Sequence, residues 1–308
     1  MDALSNVLSL LKINKSKVTG LDAGGDWAIS FPAFEGIKFN TILKGHCWIK
    51  SEDEQNPLLF EEGDCALLTR GEPFIATNNL NSPAVDSSCV YDGKGGKITV
   101  WNGGGDFFLI SISFDFDGDI GSMLTKALPP FVHLKNASNQ VSVLQWAIQQ
   151  LSIELMEDTL GNELMTNHLA QIMLLQVLRF WLGPGQERYT GWLAALSDQR
   201  LVRSMNAMHM KPDYPWSVAE LGNIAGMSRT SFTEHFRKVV GQSPINYLID
   251  WRMQLAVDML IRSEKKILNI AYEVGYQSEA AFSTAFKRIF SCSPTQYRTA
   301  RLDTSKQL

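Results

Sequence analysis

The sequence predicts an α+β chain: an antiparallel β domain, then a pair of helices, then an all-α domain holding two helix-turn-helix units joined by a helix. Three observations predict it. Residues 27–116 alternate apolar and polar side chains in short runs bounded by Gly, Pro, Asn and Asp, which is the period of strands. Residues 138–182 change to apolar steps of three and four, the period of helices. Two stretches, "GMSRTSFTEHFRKVVGQSP" at 226–244 and "GYQSEAAFSTAFKRIFSCSP" at 275–294, then write nearly the same phrase twice. The implied domains are 1–137, 138–191 and 192–308.

The opening "MDALSNVLSLLKINK" places Asp2 before any basic residue and interrupts its apolar run with Ser and Asn. With no small-residue cleavage site after it, it reads as a short surface helix rather than a secretory signal. The longest apolar stretch, 172–183, is broken by Gln176 and Arg179 and is too short to span a bilayer, so no membrane partner is expected. Cys47, Cys65, Cys89 and Cys292 form no C-x-x-C pair and no metal spacing, which points to reduced thiols in the cytoplasm. Cys47 and Cys65 lie in apolar runs and read as core.

The strand runs "KFNTILKG", "HCWIKS", "PLLFEEG", "DCALLTRG" and "FFLISISFDF" read as a barrel or sandwich. Phe39, Ile42, Trp48, Phe60 and Phe74 are its candidates for lining a cavity that takes an apolar or amphipathic small-molecule effector; the same residues would also serve as plain core. Of the five histidines, His46 alone falls among these strands. Residues 77–106, rich in Asn, Ser, Asp and Gly, read as a long loop or a pair of hairpins carrying Cys89 as an exposed thiol.

Val141, Leu144, Ile148, Leu151 and Leu155 form a narrow seam suited to pairing with another helix. After Gly161 a second helix runs through Leu164, Leu169, Ile172, Leu175 and Leu178. Such a pair packs on the strands or joins two subunits. "GPGQERYTG" at 183–191 then breaks the pattern. Charge divides near the same place: residues 1–196 hold 13 Lys+Arg against 22 Asp+Glu, or −9, while 197–308 hold 15 against 10, or +5. The basic part is the one that could face a polyanion.

Within the doubled phrase, Ser228 aligns with Ser278, Phe232 with Phe282, Phe236 with Phe286, Arg237-Lys238 with Lys287-Arg288, and Tyr247 with Tyr297. One residue is inserted between Gly275 and Ser278. Each copy reads as short helix, tight turn, longer helix. Ser217 and Glu220 make a capping box, Gly226 ends the first short helix, and Ser228 and Ser278 cap the longer ones. Gly222 and Ala271 fall where the two helices of a unit must approach closely. One such hairpin would be ordinary core, but in both copies the exposed face is polar at its start and basic at its end. Pro244 opens a connecting helix with Leu248, Trp251 or Arg252, Leu255 and Met259 on one face. About 18 residues of helix span roughly 27 Å, close to the roughly 34 Å between successive major grooves on one side of DNA.

Residues 215–298, with the helix starts "GQSP" and "SCSP", the connecting "WRMQLAVDML" and the run "VGYQSEAAFSTAFKRIF", resemble the DNA-binding domain of the AraC/XylS transcription regulators. Upstream, "FPAFEGIKFNTILKGHCWI", "LLTRGEPF", "ALPPFVHL" and "GWLAALSDQRL" resemble the cupin-type sensory domain of one branch of that family, which makes the β domain a cupin-like barrel. The resemblance implies double-stranded promoter DNA as partner and a homodimer. It implies base reading by Arg229, Thr230, Thr233 and Glu234 on the first longer helix and by Glu279, Ala280, Ser283 and Thr284 on the second. Arg237, Lys238, Lys287, Arg288 and the cap amides of Ser228 and Ser278 would hold phosphates. Arg229 can make a bidentate contact to guanine, whereas the small residues of the second helix favour methyl contacts, water and DNA shape.

A metal cupin needs imidazoles and a carboxylate inside its barrel, where this chain places Phe39, Asn40 and Phe74. No metal, cofactor or catalysis is therefore expected. The alternatives are a cupin-type enzyme with a helical appendage, a regulator that senses redox through Cys89, and an adaptor that contacts RNA polymerase without reading sequence.

Overall fold

The computed structural model describes residues 2–10, 13–51, 57–91, 97–116, 119–136, 141–157, 159–183 and 190–305. The chain divides into two compact units. One is Lys12–Glu187; the other joins Met1–Leu11 to Arg188–Leu308.

The first unit is a β sandwich. Strands β1 (Ile13–Ala23), β3 (Ile37–Lys44), β6 (Cys65–Leu68), β9 (Ile98–Trp101), β10 (Phe107–Phe116) and β11 (Phe131–Leu134) form a six-stranded sheet in the order β11-β6-β3-β10-β1-β9. Strands β2 (Ala28–Phe31), β4 (His46–Ser51), β5 (Leu58–Glu61), β7 (Phe74–Thr77) and β8 (Val85–Asp86) form a second sheet in the order β5-β4-β7-β2-β8. Leu21, Ile42 and Leu109 from one sheet meet Ile29, Cys47 and Ile49 from the other in one core. Burial there pushes the Cys47 thiol up to about 12, with the Asp64 charge adding to the effect, so it packs as an inert side chain.

The antiparallel expectation fails at two ladders: β1 pairs β9, and β2 pairs β8, in parallel. Residues 77–106 cause this, because they return along the sandwich instead of folding back as hairpins. They supply β8, a short helix α2 (Ser87–Val90) capped by Asp86, and β9; residues 92–96 lie outside the described residues. Cys89 is exposed on α2. The alternation also misses β1, a helix α3 (Asp119–Ala127) and β11. His46 is consequently not the sole strand histidine, since His133 lies on β11. Its Nε2 is 2.8 Å from Asp64 Oδ2, and the same carboxylate accepts the amides of Asn136 and Glu61, so this imidazole ties β11 to the turn before β6.

Helices α4 (Ser142–Met156) and α5 (Asn162–Trp181) pack on each other and on β1. Leu144, Ile148, Leu151 and Leu155 are buried as the seam predicts. On α5 the buried face is Leu169, Met173, Leu174, Val177 and Leu178, while Leu164 is exposed and Ile172 and Leu175 are half-buried, so the face is rotated from the one expected. Lys97 Nζ staples the pair, donating to Glu154 O and Asn162 Oδ1. The expected break overlaps residues 184–189, which lie outside the described residues, as do 137–140 before α4.

The second unit is all helical: α1 (Ala3–Leu10), α6 (Trp192–Leu196), α7 (Leu201–Met210), α8 (Val218–Ile224), α9 (Arg229–Val240), α10 (Pro244–Arg262), α11 (Ile267–Glu273), α12 (Glu279–Phe290) and α13 (Pro294–Ser305). The N-terminal helix is not the surface feature expected. Ala3 and Val7 are fully buried, α1 packs on α6 and α7, and Ala3 N donates to Asn206 Oδ1 at 2.7 Å.

The doubled phrase folds twice into the same object. The capping box at Ser217 and Glu220 is present, and Ser228 and Ser278 accept from the amides of Ser231 and Ala281. Phe232 and Phe236 sit with ring centroids 5.6 Å apart at 59°, and Phe282 and Phe286 at 5.6 Å and 57°. Tyr247 and Tyr297 each set an edge against the second Phe. Gly222 is held close to the next helix, since a Cβ there would lie 3.1 Å from Met227 O. The two copies part at the C-cap of the longer helix, where Gly241 (φ 86°) is matched by Ser291 (φ 60°). A left-handed backbone strains a residue that carries a Cβ. Ser291→Gly is expected to stabilise the unit by about 0.5–1 kcal/mol, read as a raised denaturation midpoint; no rise would show the Ser291 conformation to be unstrained.

Helix α10 does not keep the single face expected of it. Leu248 and Trp251 are buried at its start, then Met253, Ala256, Val257 and Leu260 join the core of the second copy. Leu255 and Met259 are only half-buried. A rod clasped by two helical hairpins must bury two sides.

Candidate nucleic-acid interface

Helices α9 and α12 are amphipathic, and their inward stripes fix which residues face out. Phe232, Phe236 and Val240 are buried on α9, and Phe282 and Phe286 on α12. The opposite faces carry the expected residues. Ser228, Arg229, Thr230, Glu234, Arg237 and Lys238 are exposed, with Thr233 half-buried; Ser278, Glu279, Ala280, Thr284, Lys287 and Arg288 are exposed, with Ser283 half-buried. Among the described residues no salt bridge holds Arg229, Arg237, Lys238 or Lys287, so these cations are free to meet phosphate or base. Arg288 differs, because its charge is felt by Asp250 and Tyr276. Burial raises the Asp250 carboxyl, opposed by a hydrogen bond from Gln242 and by Arg288.

The threonines have a specific orientation. Thr233 Oγ1 donates to Arg229 O at 2.8 Å and Thr284 Oγ1 to Ala280 O at 2.9 Å. Their protons are thus committed to the helix, leaving a methyl and acceptor lone pairs for a ligand.

Two supports behind α9 escaped the sequence reading. His235 Nε2 is 2.6 Å from Asp198 Oδ2, and Asp198 also accepts the amides of Arg200 and Leu201 at the start of α7. Burial works against this carboxylate, but those hydrogen bonds outweigh it and hold its pKa below the usual range. The second support is a stack under the same unit: His209 lies flat on Trp251 at 3.9 Å and its Nε2 is 2.7 Å from Tyr247 Oη. A histidine one position before a stripe phenylalanine, and another ending a Met-rich helix, gave the only sequence hints.

Burial pushes His209 down to about 3, so the fold holds it neutral, whereas the unfolded chain protonates it near pH 6.5. Its contribution is therefore complete above pH 6.5 and is lost progressively as pH falls from there toward 3. The helical unit is expected to lose about 2 kcal/mol from this group by pH 5. Urea unfolding followed through tryptophan fluorescence, at pH 7.5 and 5.0, checks it. An equally steep fall in His209→Gln would assign the effect elsewhere.

In the β unit, the five effector candidates separate. Ile42, Phe60 and Phe74 face the core. Phe39 lies on the other face of β3, buried beside its ladder neighbours Ile112 and Leu67, because three residues along a strand reverse the side. Trp48 turns outward against His46 at 4.9 Å, since its neighbours Cys47 and Ile49 take the inward positions. Only Phe74 of the five lines a cavity of about 130 Å³ at the open end of the sandwich, with Phe34, Ile49, Leu68, Arg70 and Phe131.

Twin hairpins with polar, basic outer faces on a shared rod define a DNA-binding protein. Residues 2–183 match a family profile described as Cupin, and residues 221–300 one described as Helix-turn-helix domain. A putative AraC-like transcription regulator of Streptomyces antibioticus is 36% identical over 298 residues, covering 97% of this chain and 98% of the relative. The HTH-type transcriptional regulator AlkR of Acinetobacter baylyi is 30% identical over 305 residues, covering 97% and 99%. Among solved structures, the DNA-binding domain of AdpA in complex with a target DNA is similar at 29% identity and a TM-score of 0.31, covering 33% of this chain and 91% of that one. The chain belongs to the AraC-like family of DNA-binding transcription regulators.

Proposed function

We propose that this regulator reads two successive major grooves of promoter DNA, with α9 supplying Arg229, Thr230, Thr233 and Glu234 and α12 supplying Glu279, Ala280, Ser283 and Thr284. Arg237, Lys238, Lys287, Arg288 and the amides capped by Ser228 and Ser278 grip the phosphates. The carrying observation is the repeated geometry: two exposed helix faces of like design on one 19-residue rod, a length of about 28 Å. Footprinting on a selected operator should protect two segments about one helical turn apart. Protection of one segment only, or equal affinity for operator and unrelated DNA at fixed salt, would overturn the reading.

The β unit binds a small-molecule effector, and the chain works as a homodimer. The outer side of the helical pair supports the second statement, since Val143, Trp146, Ile153 and Leu164 stay exposed there, an apolar surface of the kind that marks association. Sedimentation of wild type and Trp146→Glu tests it; two monomers would dismiss it. Effector occupancy of the β unit changes whether both helix-turn-helix units engage DNA together, a reading supported by the acidic balance of residues 1–196 against the basic balance of 197–308. Effector that binds without altering operator affinity would remove this coupling.

A further inference from the structure

Lys38 stands on β3 at the face that carries the sandwich core, four residues before Ile42. Ser113 and Leu68 flank it across the ladder, with Lys17 and Phe131 one strand further on each side. From the other sheet, Phe31 and Phe74 stack at 4.7 Å. The Lys38 ammonium lies 4.3 Å from the Phe34 ring centre, 5.4 Å from Phe31 and 5.5 Å from Phe74.

Among the described residues this half-buried cation has no counter-ion. Among the described residues no carboxylate lies within 4.0 Å of its Nζ, and nothing accepts a hydrogen bond from it. Three aromatic faces offset part of its lost hydration, but they carry no net charge. Burial and the Lys17 charge draw its pKa below the ordinary lysine range. One inward position further along β3, Asn40 is only 9% exposed and makes no side-chain hydrogen bond among the described residues. Phe34 and Phe74 of the cage also line the 130 Å³ cavity, whose rim holds Arg70 and the one acid Glu72. A dry cavity of about 150 Å³ takes up benzene, so the space suits a small apolar body.

We propose that this end of the sandwich is the receptor for a compact apolar monocarboxylate, with its carboxylate on Lys38 and its hydrocarbon against Leu68, Phe74 and Phe131. The proposal rests on the effector-binding reading of the β unit and names the ligand class. A cationic ligand would meet Lys38, Lys17 and Arg70 together. A neutral ligand would fill the cavity and leave the ammonium uncompensated.

Calorimetry on the full-length protein with hexanoate, 1-hexanol and hexylamine tests this. Hexanoate is expected to bind about tenfold or more tightly than hexanol, and hexylamine not at all. Lys38→Met should abolish the preference for the anion while keeping the thermal midpoint, and Lys38→Arg should retain it. Equal binding of hexanoate and hexanol, unchanged hexanoate binding by Lys38→Met, or no hexanoate binding at millimolar concentration would overturn the proposal. Operator affinity is measured separately: hexanoate bound through Lys38 without effect on DNA supports the receptor and removes only the coupling. DNA binding that responds to another effector, with hexanoate ignored, removes the receptor and keeps sensing.

Discussion

Replacing Phe282 with Ala is expected to destabilise the second helix-turn-helix by about 3–5 kcal/mol and to shrink the DNA footprint to the segment held by α9. Phe282 is fully buried, touches Phe286 and Tyr276, and belongs to the core shared with Met253, Ala256, Val257 and Leu260 of the rod. Truncation leaves a cavity that α12 cannot close, because its neighbours are fixed by the same rod. Phe232→Ala in the first copy should give the mirror result, with the α12 segment surviving. Denaturant titration and footprinting on one operator measure both effects. A footprint of unchanged length in an equally destabilised variant would show that the copies do not bind independently.

Arg229→Ala and Lys238→Ala are expected to differ in kind. Arg229 is exposed at the start of α9, where a guanidinium can span two acceptors of a guanine. Its loss should cost about 1–3 kcal/mol of discrimination at one base pair and leave other positions unchanged. Lys238, in the last turn of the same helix, should weaken all DNA about equally and lower the salt slope by about one. Competition binding across single-base operator variants at several salt concentrations separates the two. If Arg229→Ala leaves every base preference intact, that side chain is not a reader.

The helical unit was largely legible because its signals are local. Ser217 and Glu220, Ser228 and Ser278, and the phenylalanines four apart each act within one or two turns, and the structure keeps all of them. The doubling added a second sample of the same design. The β unit was less legible, since its strands are defined by partners distant in sequence. In "INKSKVTGLDA" lysines and a glycine dilute the apolar alternation of β1, and β9 and β11 have only four residues each. The five effector candidates divide for a simpler reason: Ile42, Phe60 and Phe74 face the core, whereas Phe39 and Trp48 take the other side of their strands. Strand alternation suggests all five, but Phe39 lies three positions from Ile42 and Trp48 lies between the inward Cys47 and Ile49, so parity puts both on the opposite side; counting back from Ile42 in twos arrives at Asn40 and Lys38. A lysine at an inward position was the sequence signal for the receptor proposed above.

The place of α1 bears on how the polypeptide matures. Its Ala3 amide bonds a side chain 203 residues later, and Val7 has no other exposure to lose. The whole sandwich is spelled between α1 and its partners α6 and α7, so α1 can dock only once those later helices have been made. A nascent chain halted before residue 206 therefore still lacks the acceptor of the Ala3 amide.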